Sequence, residues 1–173
     1  IGIKHSKGEF IAFLDVDDVW KKNKLHKQIN FMNKKKINAS FTSYKIIDEK
    51  NNIIGRRLSD EKLSYDQLIF SCDIGLSTVL IKKNFFDQGK YRFPSLVTKE
   101  DYVLWLKFAK DGVKMMGIDQ NLTSWRKSKD SLSSSTMQKL LDGYKVYRLY
   151  LGYGRFKSML CLINLSINFI LKS

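Results

Sequence analysis

Three carboxylates, Asp15, Asp17 and Asp18, end the apolar run Phe10-Ile11-Ala12-Phe13-Leu14. Five consecutive apolar residues of this kind read as a buried strand, and α/β sheets bind ligands outside the carboxyl ends of their strands. Clustered carboxylates repel one another and raise each other's pKa unless a cation or ligand neutralises them. In extended backbone, Asp15 and Asp17 project to the same side. So placed, they can hold a hard divalent cation such as Mg²⁺, and the cation can hold a diphosphate. The plainer reading is a solvated acidic turn with Asp18 as a helix N-cap. Three acids directly after five apolar residues favour the cation.

Three further groups carry chemistry. Glu100-Asp101 opens an amphipathic segment through Lys110, with Tyr102, Trp105, Leu106 and Ala109 on its inner face and Gly112 at its end. Acids in a first helical turn complement the helix dipole, which suffices for Glu100. Asp101, beside an aromatic face, could instead act as a general base on a sugar hydroxyl within hydrogen-bond reach. Trp125-Arg126-Lys127-Ser128-Lys129, followed by Ser131 and Ser133, puts cations and hydroxyls at a strand end. Arg126 offers bidentate contacts to a phosphate and would stabilise it as a leaving group; the alternative is a basic surface loop. Gly75, Ser77 and Thr78 would let backbone approach a ligand closely, or simply form a turn into a core strand.

The elements that must position these residues alternate between strands and helices, which predicts an α/β fold. Residues 1–8 read as a helix end with Gly8 as C-cap. A strand spans 9–14, and a helix from Lys21 to Lys35 places Leu25, Ile29 and Met32 at helical spacing. Strands at Phe41–Ile47 and Ile53–Arg57 flank a turn at 48–52. Ser64 caps a short helix through Phe70, Leu76–Ile81 is a strand, and the helix from Glu100 follows. Two short strands come next, Val113–Met116 and Leu122–Arg126, then a loop at 131–135 and helices over 136–151 and 156–171.

The 173 residues carry a net charge of +14, with 43% hydrophobic and 13% aromatic residues. This is a globular composition, and disorder is excluded. The basic balance points to polyanions: phosphorylated substrates, anionic lipid headgroups or nucleic acid. A background preference for Lys on solvated faces would give the same charge. Cys72 and Cys161 are far apart and unpatterned, with neither a disulfide framework nor a zinc signature, which suits a reducing compartment.

In order, these pieces resemble the family 2 glycosyltransferases of the GT-A fold. The lead-in Ile1-Gly2-Ile3-Lys4-His5-Ser6-Lys7-Gly8-Glu9-Phe10-Ile11 resembles that family's approach to its Asp-x-Asp strand. Trp20, Lys24-Leu25 and Gln28 match its Asp-Asp-x-Trp-x-x-x-Lys-Leu-x-x-Gln, Glu100-Asp101 its catalytic helix, and Trp125-Arg126 with Ser131 and Ser133 its late Tyr-Arg…Ser-x-Ser segment. The resemblance implies a GT-A mixed sheet flanked by helices, with the catalytic part at 1–134 and a helical extension at 135–173. It also implies that the first strands, which hold the nucleotide base, are missing: at least one βαβ unit of roughly 30 residues.

The roles it implies are specific. Asp15 lies near the ribose and diphosphate, and Asp17 ligates Mg²⁺ or Mn²⁺ with Asp15 and Asp18 assisting. Asp101 is the base of an inverting transfer, and Glu100 touches the acceptor or orients the base. Gly75, Ser77 and Thr78 shape the sugar and acceptor pocket, and Arg126 holds the diphosphate on a mobile loop. Ser128 stands where relatives often carry His, so Lys127 or Lys129 would supply charge there. The implied donor is a nucleotide sugar, expected to be a UDP-sugar. The implied acceptor is a glycan or lipid-linked sugar in cell-surface polysaccharide synthesis, at the cytoplasmic face of the membrane.

Two other readings use the same residues. A haloacid-dehalogenase-type phosphatase would use Asp15 as nucleophile and Asp17 as acid/base; Trp20 and the Lys-rich helix after it, with no Gly-Thr turn, argue against this. A basic nucleic-acid-binding module would bind in a salt-dependent way without the aspartates, and no nucleic acid partner is expected. Finally, Ser158–Leu171 is a mostly apolar run of 14 residues, short of the ~20 that span a bilayer. It reads as a core helix or, over 156–172, as an interfacial anchor on an anionic membrane surface.

Overall fold

A computed structural model describes residues 2–62, 64–87, 89–128 and 135–171. Its strands are β1 Phe10–Ala12, β2 Val19–Trp20, β3 Ala39–Ile47, β4 Ile53–Arg57, β5 Leu80–Lys82 and β6 Met115–Arg126. The helices are α1 Gly2–His5, α2 Lys24–Lys35, α3 Tyr65–Leu68, α4 Asn84–Asp87, α5 Glu100–Lys110, α6 Thr136–Lys145 and α7 Arg155–Leu171. The strands form one mixed sheet in the order β1-β5-β3-β6-β2, with β4 paired to the far end of β3. The β3–β6 pair is parallel, from Ala39 opposite Met115 to Ile47 opposite Arg126. All other pairs are antiparallel.

Side chains alternate across the sheet as the period of two requires. Leu80 joins Met32 and Ile37 under α2, whereas Ala39, Phe41 and Ile81 join the larger cluster under α5. The α5 residues Tyr102 to Leu106 and Phe108 are all fully buried there. Val146 and Tyr147, Cys161 and Leu165 of the C-terminal helices belong to this same cluster. The chain after residue 134 therefore shares the main core.

Several sequence expectations hold: the β3–β4 hairpin, Ser64 as the cap of a short helix, which ends at Leu68, and α5 followed by Gly112 at φ +70°. Others are corrected. Gly8 is not a C-cap; α1 stops at His5, where the Ser6 hydroxyl donates to the Ile3 carbonyl. The inner face of α2 is Lys24, Gln28 and Met32, while Leu25 is exposed. Residues Leu76–Thr78 form a 3₁₀ turn before β5, closed by the Thr78 hydroxyl on the Gly75 carbonyl. The helix expected to 151 changes to a π-helical turn at Val146–Tyr150.

The two strands expected at 113–126 are one, β6, with a bulge between them. Thr42 pairs with Ile118 and Tyr44 with Thr123, so four β6 residues face one β3 residue. That residue, Ser43, donates its hydroxyl to Asp119 inside the bulge. Gly117 opens the bulge where the Asp60 carbonyl crosses; a Cβ there would lie 2.2 Å from that oxygen. Gly117→Ala should therefore lower stability by about 1–3 kcal/mol, read as a fall in the denaturant midpoint at unchanged slope.

Candidate active site

β1 and β5 are antiparallel, and this brings the 3₁₀ turn before β5 against the acidic turn after β1. The hydroxyl of buried Ser77 accepts the Asp15 N–H at 3.0 Å. The Ser77 carbonyl accepts the Trp20 indole N–H at 2.7 Å and the Thr123 hydroxyl at 3.4 Å. Ser77 thus ties both ends of the acidic turn to the middle of the sheet. The turn closes on itself through the Asp18 N–H on the Asp15 carbonyl, 3.0 Å. Asp15, Val16 and Asp17 stand exposed at its tip, above a cleft lined by Leu14, Asp15, Leu76 and α1 residues.

Asp18 differs from its neighbours. It is buried, and one carboxylate oxygen accepts the Arg126 backbone N–H at 2.9 Å. The other oxygen has no hydrogen-bond partner among the described residues. Burial raises the Asp18 pKa, against the hydrogen bonds from Ser77 and Arg126. Burial also raises Asp15, and the charge of Asp17 adds to it.

Arg126, the last residue of β6, uses its guanidinium on protein oxygens. It donates to the Asp17 carbonyl (2.9 Å), the Asp48 carbonyl (2.8 Å) and the Asn51 side chain (2.8 Å). This clamps the acidic turn to the β3–β4 hairpin. In this arrangement Arg126 shapes the backbone that presents Asp17, and a diphosphate contact would require it to exchange partners. Ser77 and Thr78 likewise turn their hydroxyls onto protein atoms and support Asp15 from behind. Gly75 is half-buried in ordinary extended backbone. Lys129, Ser131 and Ser133 lie outside the described residues.

The second acidic group sits at the start of α5. Its N-cap, Lys99, has a left-handed backbone (φ +63°), uncommon for a residue with a side chain. The turn is held from outside by Asp142 of α6, which accepts the Thr98 N–H at 3.0 Å and the Thr98 hydroxyl at 3.1 Å. Burial alone would raise Asp142, but bonds from Gln138, Lys145 and Thr98 outweigh it and hold the pKa at about 2. On the strained turn, burial and then the adjacent Glu100 push Asp101 up to about 7, with Asp15 contributing in the same sense. Glu100 is raised by burial and also feels Asp15. The two acidic groups, remote in sequence, thus share one electrostatic field.

A site this rich in carboxylates suits a cation. Asp15 and Asp17 are hard oxygen donors at the tip of the turn, and Asp18 keeps an unpartnered oxygen beneath them. Among the described residues no three His, Cys, Asp or Glu side chains converge into a closed cage. A divalent cation held here would have Asp15, Asp17 and the free Asp18 oxygen as its available protein donors and would take its remaining ligands from water or substrate.

The family profile of glycosyl transferase family 2 matches residues 1–92, which include the acidic turn and Ser77. The chain belongs to this family. Among its relatives is WfgD of Escherichia coli, a UDP-Glc:alpha-D-GlcNAc-diphosphoundecaprenol beta-1,3-glucosyltransferase, 36% identical over 139 residues. That alignment covers 80% of this chain and 53% of WfgD. TuaG of Bacillus subtilis, a putative teichuronic acid biosynthesis glycosyltransferase, is 29% identical over 98% of this chain and 67% of its own length. The chain thus spans about half of WfgD and two thirds of TuaG. The crystal structure of S. aureus TarS with UDP-GlcNAc superposes at a TM-score of 0.64, over 92% of this chain and 48% of TarS, at 17% identity. The family 2 chain therefore has the GT-A fold expected from its sequence, and the phosphatase alternative falls.

Two residues of the family 2 chain went unrecognised from sequence. Asp142 had one available signal: it is the only acid in residues 131–173. Lys24 appeared only as a motif match. It is fully buried, its ammonium 4.1 Å from the Trp20 ring centroid and without a hydrogen-bond partner among the described residues.

Asp142→Ala should cost about 1–3 kcal/mol by stranding the buried Thr98 N–H and hydroxyl. The Asp142 contribution is present above pH 4 and is lost as pH falls through about 2, so an acid-unfolding series on both proteins should converge at the acid end. Burial lowers Lys24 to about 7 from 10.5. Between those values the unfolded chain carries a proton that the folded chain lacks, so stability should rise with pH. Lys24→Met should flatten that rise in urea titrations across the window.

Proposed function

We propose that the chain provides the diphosphate- and acceptor-facing part of an inverting glycosyltransferase. The observation that carries this is that Asp15 lies within electrostatic range of Glu100 and of buried Asp101, whose pKa is raised to about 7. A base of that pKa is matched to neutral pH, where it can take a proton from a sugar hydroxyl. In the proposed reaction, the acceptor oxygen bonds to the anomeric carbon from the face opposite the leaving group. Its proton passes to the Asp101 carboxylate, and the bond from the anomeric carbon to the diphosphate oxygen breaks with its electron pair on the diphosphate. Glu100 holds or orients the acceptor beside the base. Asp15 and Asp17, with Asp18 beneath, are the residues that would hold Mg²⁺ or Mn²⁺, whose charge when bound offsets that of the departing diphosphate.

The donor we propose is a UDP-sugar. The name of WfgD specifies UDP-Glc, and TarS was solved with UDP-GlcNAc. The acceptor we propose is lipid-linked, as the diphosphoundecaprenol in the WfgD name is, which would set the protein at the cytoplasmic face of the membrane.

Asp101→Asn in the complete protein should reduce transfer from a radiolabelled UDP-sugar by about 10²–10⁴-fold, with UDP affinity unchanged by calorimetry. Retained transfer would remove Asp101 from the base role. In the wild type, kcat/KM should rise as pH passes upward through about 7, because only the deprotonated carboxylate accepts the proton.

A further inference from the structure

Helix α7 is apolar on two opposite faces. One face is accounted for: Ser158, Cys161 and Leu165 are buried in the main core, Leu162 packs on Gly143 of α6, and the Asn168 amide donates to the Phe70 carbonyl at 2.9 Å. The other face is the stripe Phe156, Met159, Leu160, Ile163, Ile167 and Ile170, at spacings of three and four residues. Every member is exposed, from 46% at Leu160 to 79% at Phe156. Met137 and Leu141, one turn apart on the neighbouring α6, are exposed as well. An unbroken exposed apolar stripe on a soluble surface marks an interaction site.

The charges around the stripe select its partner. Helix α7 carries Arg155 and Lys157 and no Asp or Glu, and Arg148 lies shortly before it, whereas Lys145 is already held by Asp142. A second copy docked on this stripe would bring cations against cations with no acid from the segment to pair them, and like charges across an interface oppose binding. An anionic lipid surface matches both features: headgroup phosphates for the cations, and the acyl boundary for the isoleucines. The helix has 17 residues, about 25 Å. Among the described residues no helix is long and apolar enough to cross a membrane. Lying flat is the geometry that buries the whole stripe.

We infer that the outward face of α7, from Phe156 to Ile170, docks in the plane of an anionic bilayer surface. The inner face of α7 shares its core with Tyr102, the residue after Asp101, so docking would hold the acidic helix start close to the membrane. The inference gives a surface to the membrane location proposed above, yet rests on α7 alone and does not require transfer activity.

Its test is co-sedimentation of the chain with vesicles of phosphatidylglycerol and phosphatidylcholine, or of phosphatidylcholine alone. The chain should bind the anionic vesicles at least about tenfold more tightly, and added salt should weaken the binding. The double variant Ile163→Glu/Ile167→Glu, altered only at exposed positions, should keep its thermal midpoint and lose at least about tenfold in vesicle affinity. Asp101→Asn should bind vesicles like the wild type, which separates this inference from the proposed chemistry. Equal binding by the double variant would overturn the inference. So would a wild-type dimer that the double variant converts to monomer while neither form binds vesicles.

Discussion

The parallel pairing of β3 with β6 runs the length of both strands and ends with Ile47 beside Arg126. From that end the Arg126 backbone N–H reaches Asp18, and its guanidinium reaches the Asp17 carbonyl and the β3–β4 turn. At the other edge of β3, β5 pairs with Ala39 and Ser40 and places Ser77 behind Asp15. The same strand pair offers α5 the surface on which Tyr102 to Leu106 and Phe108 are buried. A slip of one residue in this pairing would exchange the faces of Ala39, Ser40 and Phe41 and so mismatch both core layers. The position of each acidic group follows from this register.

The site concentrates negative charge, and the fold tolerates this by unequal means. Asp142, fully buried, is hydrogen-bonded on both oxygens and its pKa is low. Asp101 has the N-terminal end of a helix and few hydrogen bonds, and its pKa is high. Asp18 is bonded on one oxygen only. The structural carboxylate is thus satisfied, while the carboxylates proposed to act are left short of partners, as perturbed groups at functional sites commonly are. Lys24 is the counterpart among the cations: it is buried against Trp20, whose indole N–H anchors the acidic turn to Ser77.

The C-terminal helices join two tasks. Through Asp142 and Tyr147 they brace the loop before α5 and the Ile69 carbonyl, so α5 is held from its outer side. Through α7 they present an apolar, acid-free surface to the exterior. Residues 143–173 hold five of the 31 Lys and Arg and no acid, so they supply part of the net +14 and the rest is spread along the chain.

Much of this was legible in the sequence because it is local. The Ser64 cap, the β3–β4 hairpin and the amphipathic α5 follow from patterns within a few residues, and the ordered motifs were enough to name the family; of the strand expected over 9–14 only Phe10–Ala12 pairs, and Leu14 is exposed. The sequence divided β6 into two strands, because whether residues 117–121 end a strand depends on the neighbour that pairs across them. What only the tertiary structure decided are contacts between remote segments: Ser77 under Asp15, Arg126 turned onto the Asp17 backbone, Asp142 holding Thr98, and Lys24 rather than Leu25 facing inward. Burial and partner choice depend on what lies across the core, and no spacing along one chain segment encodes that. The two acidic groups were visible one by one. Asp101 is raised toward neutrality first by its burial and then by the adjacent Glu100, and Asp15 adds to this only once the sheet and α5 pack together.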